Sequence, residues 1–223
     1  VKNKTFKIVF LFICMSFFLM GCMGGPSPEE QMYETLEKVV TLEKDFEKEQ
    51  DPLVELEKKE KELYDEILTL GMKEFDQIVT LSNEALSIVA DREKRIDNEH
   101  ESIKASKKEF QKVESIITEI KEDSVKNEAK DLVSLMNQRY ESYEELFASY
   151  NEAIEQDKTL YEMFQNKELT LDELEKQINL INETYEKVVA ANETFNKLTD
   201  QYNKAKVSFY KNAGLEVVFK EEE

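Results

Sequence analysis

Between Glu29 and Ala213 the chain contains one glycine, Gly71, and one proline, Pro52. Sandwiches and barrels need turn residues every 8 to 12 positions or so, and this stretch does not supply them. Apolar residues instead recur three and four apart among abundant Glu, Lys and Leu, which is the pattern of long amphipathic helices. The sequence therefore predicts an all-α protein.

Four helical stretches can be traced. The first carries Met32, Leu36, Val39, Leu42 and Phe46. It is interrupted at Asp51-Pro52, as a cap with a first-turn proline or as a kink, and resumes through Leu53, Leu56, Leu63, Ile67 and Leu70. A turn is expected near Gly71. The second stretch runs from Phe75 through Ile96 and Phe110 to Ile120, with Lys121 to Ser124 as the next loop. The third follows Val125, Met136, Tyr140 and Tyr150 to Phe164. Thr170 to Glu173 then reads as a capping box. The fourth runs from Leu174 through Tyr185 and Phe195 to Phe209, and Gly214 suits its C-terminal cap. Short connections between stretches of such length predict an elongated up-down-up-down four-helix bundle with a kinked first helix, roughly 60–75 Å long at 1.5 Å per residue. The seam repeats near every 3.5 residues, which implies left-handed coiled-coil-like packing. The alternative is a three-helix spectrin-like rod in which Pro52 to Ile120 forms one helix.

The N-terminus reads as an address. Lys2, Lys4 and Lys7 precede an apolar run of twelve residues, Ile8 to Leu19. That run is short for a membrane span and suits the core of a signal peptide. It ends in Leu19-Met20-Gly21-Cys22, which resembles a bacterial lipobox, with Met20 bulkier than the usual residue at its position. The resemblance implies cleavage between Gly21 and Cys22 and attachment of diacylglycerol to the Cys22 thiol. The expected divisions are a signal peptide at 1–21, a lipidated cysteine and short tether at 22–28, a helical bundle at 29–214 and a tail at 215–223. Ser27 can cap the first helix, with Pro28 at its first position. Cys14 leaves with the signal peptide. The expected location is the extracytoplasmic face of the cell membrane.

Charge narrows the function. Lys+Arg 30 against Asp+Glu 49 makes the chain −19, and removing the leader with its three lysines takes it to about −22. A nucleic-acid binder needs a basic face to displace counterions from phosphate, and none is visible. Catalytic, cofactor-binding and metal-binding residues are all expected to be none. His100 is the single histidine and lies in a polar stretch where a solvated ring is expected. A di-iron bundle needs two Glu-x-x-His pairs. Carboxylate pairs are too numerous to single out, and a slim bundle offers no obvious cleft for glycosidase chemistry. The series Tyr140, Tyr143, Phe147, Tyr150 has the spacing of a core seam. Arg92 and Asn192 fall near seam positions, either as buried polar register devices or as residues facing water. Lys104, Lys107, Lys108, Lys112, Lys204, Lys206 and Lys211 gather toward the expected membrane end, where ordinary solubilising lysines are the reading preferred over headgroup contacts.

The phrases QMYETLEKVVTLEKDF (31–46), LGMKEFDQI (70–78), LTLDELEKQI (169–178) and SFYKNAGLEV (208–217) resemble the cell-wall-binding lipoproteins of Firmicutes, the YkyA-like family. The resemblance implies an extracytoplasmic lipoprotein built on a helical bundle, and it brings no catalytic motif. The expected function is that of a non-enzymatic, membrane-anchored protein. It would present its helices to a cell-wall or envelope partner, with the membrane held through Cys22 and no nucleic acid involved. Alternatives are an envelope hydrolase or hydrolase activator, and a binder of an apolar ligand between helices. Polyanionic wall polymers would repel so acidic a chain unless cations bridged them.

Overall fold

A computed structural model describes residues 25–215. The signal peptide, Leu19, Met20, Gly21, Cys22 and the tail from 216 onward lie outside the described residues. Those described are helical throughout: α1 Pro28–Leu42, α2 Lys44–Ile67, a 3-10 turn Met72–Glu74, α3 Phe75–Phe110, α4 Val113–Glu119, α5 Asp123–Phe164 and α6 Leu171–Asn212. None of these helices is long and apolar enough to cross a membrane.

The termini follow local chemistry. Ser27 Oγ accepts the N–H of Glu30 at 3.1 Å, and the Glu30 carboxylate accepts the N–H of Ser27 at 2.7 Å. This is a reciprocal capping box directly before Pro28. Thr170 and Glu173 form a second box at the start of α6. Gly214 closes α6 at φ +71°, and the Leu215 N–H returns to the Tyr210 carbonyl at 3.0 Å, as a left-handed cap requires.

The first helical stretch is interrupted at Glu43, between α1 and α2, and carries Pro52 inside α2. Helix α2 continues through Pro52, which forgoes the bond its missing N–H would make and crowds the carbonyl four residues before it. The break lies at Glu43, φ −86° and ψ 1°. There the Ser102 hydroxyl accepts the Phe46 N–H at 3.1 Å and donates to the Leu42 carbonyl at 2.7 Å. The hydroxyl is inserted into the ladder bond that would otherwise join Phe46 to Leu42, a recognised cause of helix bending. The chain does turn at Gly71, with Thr69 and Leu70 N–H groups closing α2 on Glu66 and Ile67. The single helix from Pro52 to Ile120 is thereby set aside. The second stretch carries a further short interruption at Gln111–Lys112 that divides α3 from α4.

The described residues form two compact units. One comprises residues 25–41, 106–141 and 194–215, the other Leu42–Ala105 and Ser142–Glu193. The first holds α1, the end of α3 with α4, the start of α5 and the end of α6; the second holds α2 and segments of α3, α5 and α6. In the second unit, contacts between α2 and α3 pair Glu66 with Gln77, Glu60 with Arg92 and Gln50 with Glu99. One number rises as the other falls, so the helices are antiparallel. The same holds for α3 with α5 (Asn83–Gln165, Glu93–Lys158, His100–Glu144) and for α5 with α6 (Gln156–Gln177, Glu152–Lys187). The first unit buries Met32, Leu36, Val113, Leu132, Met136 and Phe209 from α1, α4, α5 and α6. Its core also holds Arg139, whose Nε donates to Thr199 Oγ1 at 2.9 Å and whose guanidinium lies 4.7 Å from the Phe195 ring centre.

Candidate functional site

Within the second unit, Arg92 of α3 is 1% exposed and sits at the focus of side chains from all four helices. Helix α2 supplies Glu57 and Glu60, one turn apart. Helix α5 supplies Tyr150, Asp157 and Tyr161, whose spacing of seven and four places them on one face. Helix α6 supplies Tyr185. Nη1 of Arg92 donates to Glu60 Oε2 at 2.5 Å and to Asp157 Oδ2 at 2.8 Å. Nη2 donates to Tyr185 at 2.8 Å and Tyr150 at 3.0 Å, and Nε donates to Tyr150 at 3.2 Å. The phenols pass these bonds on: Tyr150 donates to Glu57 Oε1 at 2.5 Å and Tyr185 to Asp157 Oδ2 at 2.6 Å. Tyr161 lies beside Glu60 in the lining.

A cleft of about 410 Å³ opens above this cluster. Glu57, Glu60, Arg92 and Asp157 form its charged side, while Tyr64, Leu160, Tyr161, Ile178 and Ile181 form apolar walls. Its volume falls in the range of small-molecule sites. Ile178, Ile181 and Tyr185 are seam residues by periodicity, yet they remain half-buried because they wall this opening.

Burial governs the protons. Desolvation raises Glu60 to about 7, against the opposing pull of Arg92. It also raises Asp157 and the Tyr150, Tyr161 and Tyr185 phenols. Arg92 stays charged, because the surrounding phenols and carboxylates outweigh the cost of burying it. A second buried acid, Glu99, lies further along α3. Burial pushes it up to about 8; Gln50 donates to it, and Glu49 and Glu57 add negative charge nearby.

Arg92 thus occupies the buried alternative of the two expected for it, and Asn192 is half-buried. His100 is not simply solvated. It is half-buried, with Nε2 3.0 Å from Glu144 and its ring stacked on Phe147 at 3.8 Å. The aromatic series is core, with Tyr140, Tyr143 and Tyr150 buried. Lys206 does not face outward. It is buried in the first unit, 3.6 Å from Glu37 and against the Tyr210 ring. No group of His, Cys, Asp and Glu among the described residues is arranged to hold a metal ion. Sequence reasoning missed the cleft and its carboxylates. The available signal was tyrosine at seam positions 150, 161 and 185, where phenylalanine would pack equally well, on the same seam as an arginine.

Antiparallel four-helix packing around a buried arginine defines the structural class. The fold is shared with a conserved protein of unknown function from Staphylococcus aureus, known from a crystal structure. The TM-score is 0.73 at 18% identity, over 84% of this chain and 97% of that one, a likeness of fold alone. Residues 27–212 match the family YkyA, described as "Putative cell-wall binding lipoprotein". The chain is also 39% identical over 217 residues to the "Uncharacterized lipoprotein YkyA" of Bacillus subtilis (strain 168), covering 97% of each. The chain belongs to the YkyA family.

Proposed function

We propose that this chain is a non-enzymatic lipoprotein, cleaved between Gly21 and Cys22 and held by acyl groups on Cys22 at the outer face of a Gram-positive membrane. It presents its helices to a cell-wall or envelope partner in the zone between membrane and wall. The observation that carries this reading is the capping box of Ser27 and Glu30. Helix α1 begins at Pro28, so at most about 20 Å of extended chain separates folded protein from Cys22. Two acyl chains, at about 0.8 kcal/mol per buried CH₂, hold such a domain at the bilayer. The family is described as cell-wall binding and its Bacillus relative as a lipoprotein, which supports an anchored binding role. On this reading residues 1–21 are the leader, 22–28 the anchor and tether, 29–214 the helical domain and 215–223 a tail.

Metabolic labelling with a lipid precursor tests the anchor. Cys22→Ala is expected to abolish incorporation and release the protein from membranes; unchanged labelling would overturn the lipobox reading. Incubation of the purified chain with peptidoglycan tests the rest, because altered glycan or peptide products would establish the hydrolase alternative. The cleft favours a second, compatible reading in which the chain also binds a ligand between its helices. Its charged side makes a wholly apolar ligand a poor match, since such a ligand would strip water from Glu57, Glu60 and Asp157 without replacing it.

A further inference from the structure

We propose that the cleft of the second unit binds a protonated amine carried on an apolar body. The proposal rests on the ligand-binding reading above and is independent of the anchor at Cys22.

The hydrogen-bond inventory argues for a donor. A guanidinium has five N–H donors and a phenol one. All five of Arg92 are committed: two on Glu60 and Asp157, two on Tyr150 and one on Tyr185. The phenols of Tyr150 and Tyr185 are committed to Glu57 and Asp157. An incoming carboxylate or phosphate finds no donor on this arginine. Lys61 lies at the exposed rim, where one of its three donors goes to Asp65 at 2.5 Å.

Acceptors are in surplus. Each ionised carboxylate offers about four lone-pair directions, Glu57 and Asp157 satisfy only one or two donors in the bonds above, and Glu60, which burial raises to about 7, adds acceptors as it ionises. Charge points the same way, because the lining sets three carboxylates, Glu57, Glu60 and Asp157, against two cations, Arg92 and the rim residue Lys61. An ammonium group supplies both what is missing, hydrogen-bond donors and a compensating charge. A neutral alcohol supplies one donor and no charge.

The walls select the rest of the ligand. Leu160, Ile178 and Ile181 give apolar area, and Tyr64 and Tyr161 give aromatic surface suited to alkyl groups and to a neighbouring cation. A short alkyl chain bearing an amine would set its head against Glu57 and Asp157 and its body along α6.

The test is a titration of the full, processed chain in detergent, at about 0.15 M salt to screen surface attraction, by saturation-transfer NMR. The probes are n-butylammonium, n-butanol and n-butyrate, with empty micelles subtracted. The expected result is that the amine binds at least about tenfold tighter than the alcohol and that butyrate does not bind. Equal binding of amine and alcohol, or preference for butyrate, would overturn the proposal. Two variants locate the site. Glu57→Gln, at a half-exposed position, is expected to weaken the amine about three- to tenfold with an unchanged helical circular-dichroism spectrum. Ile181→Trp, which fills the cleft from its wall, is expected to abolish binding. Amine affinity surviving both changes would show that the cleft is not the site. Lipid labelling that persists unchanged in Cys22→Ala, by contrast, would overturn the anchor and leave this titration untouched.

Discussion

The hydroxyl of Ser102 donates to the backbone carbonyl of Leu42 at 2.7 Å, at the interruption between α1 and α2 around Glu43. Because the same oxygen accepts the Phe46 N–H, one side chain satisfies both halves of a broken helical bond. Ser102→Ala leaves the Leu42 carbonyl and the Phe46 N–H without this partner in a place where water has little access. We predict a loss of about 1–3 kcal/mol in urea unfolding. Ser102→Thr, which keeps the hydroxyl, should recover part of it. Equal stability of Ser102→Ala and the parent would mean that the two backbone groups re-form their direct bond and that the serine does not cause the interruption.

Arg92 poses the opposite problem, because its removal orphans charges. Replacing a whole buried ion cluster with apolar residues is often neutral, whereas removing one partner costs about 3–5 kcal/mol. We therefore predict that Arg92→Met destabilises by about that amount and lowers the Tm by on the order of 10 °C. Adding Glu60→Leu and Asp157→Leu to the same chain should restore a large share. If the triple variant were no more stable than Arg92→Met, packing of the guanidinium, and not charge compensation, would be the main contribution of Arg92.

Two buried acids make stability depend on pH in a defined sense. Burial raises Glu60 to about 7 and Glu99 to about 8. The folded protein thus holds these protons more tightly than the unfolded chain does. Their contribution is complete below the ordinary carboxylate range and is lost as pH rises through about 7 and about 8. Around Glu60 stand Arg92, Asp157 and Tyr161; around Glu99 stand Gln50, Glu49 and Glu57. The Tm should fall between about pH 5 and about pH 9, and Glu99→Gln, which stays neutral, should flatten the fall by about 1–3 kcal/mol. Parallel curves for parent and variant would show that Glu99 is ionised at neutral pH without penalty.

The contrast between these residues and the caps shows what a sequence exposes. Ser27, Thr170 and Gly214 act on backbone within a few positions of themselves, so their roles could be inferred locally. The seam residues Met136, Tyr140 and Tyr150 could be inferred from periodicity alone. Ser102 works on backbone 60 residues away, and Arg92 reaches partners 32, 65 and 93 residues away. Nothing local distinguishes Glu60 or Asp157 among 49 acids. Pro52 was conspicuous in the sequence, while the interruption at Glu43 involves a serine from another helix. The cleft was hidden because periodicity marks Ile178, Ile181 and Tyr185 as facing inward, and inward-facing residues line a cavity as readily as they fill a core.

Two glycines at helix boundaries differ in what they require. Gly71 has φ −109° and ψ 173°, extended backbone open to any residue. A Cβ there would meet only Glu74 Oε2, at 3.8 Å, an ordinary contact. Gly214 has φ +71° and open space around it, so conformation is its only constraint. Gly71→Ala is predicted to leave stability unchanged or raise it by about 0.4–1 kcal/mol, through the lower entropy of the unfolded chain. Gly214→Ala is predicted to cost about 1 kcal/mol, because an L side chain is strained in the left-handed region. Urea midpoints of the two variants, measured side by side, provide the check. A destabilised Gly71→Ala would mean that the turn between α2 and α3 needs a conformation other than the extended one seen, whereas a neutral Gly214→Ala would mean that the α6 cap does not contribute to stability.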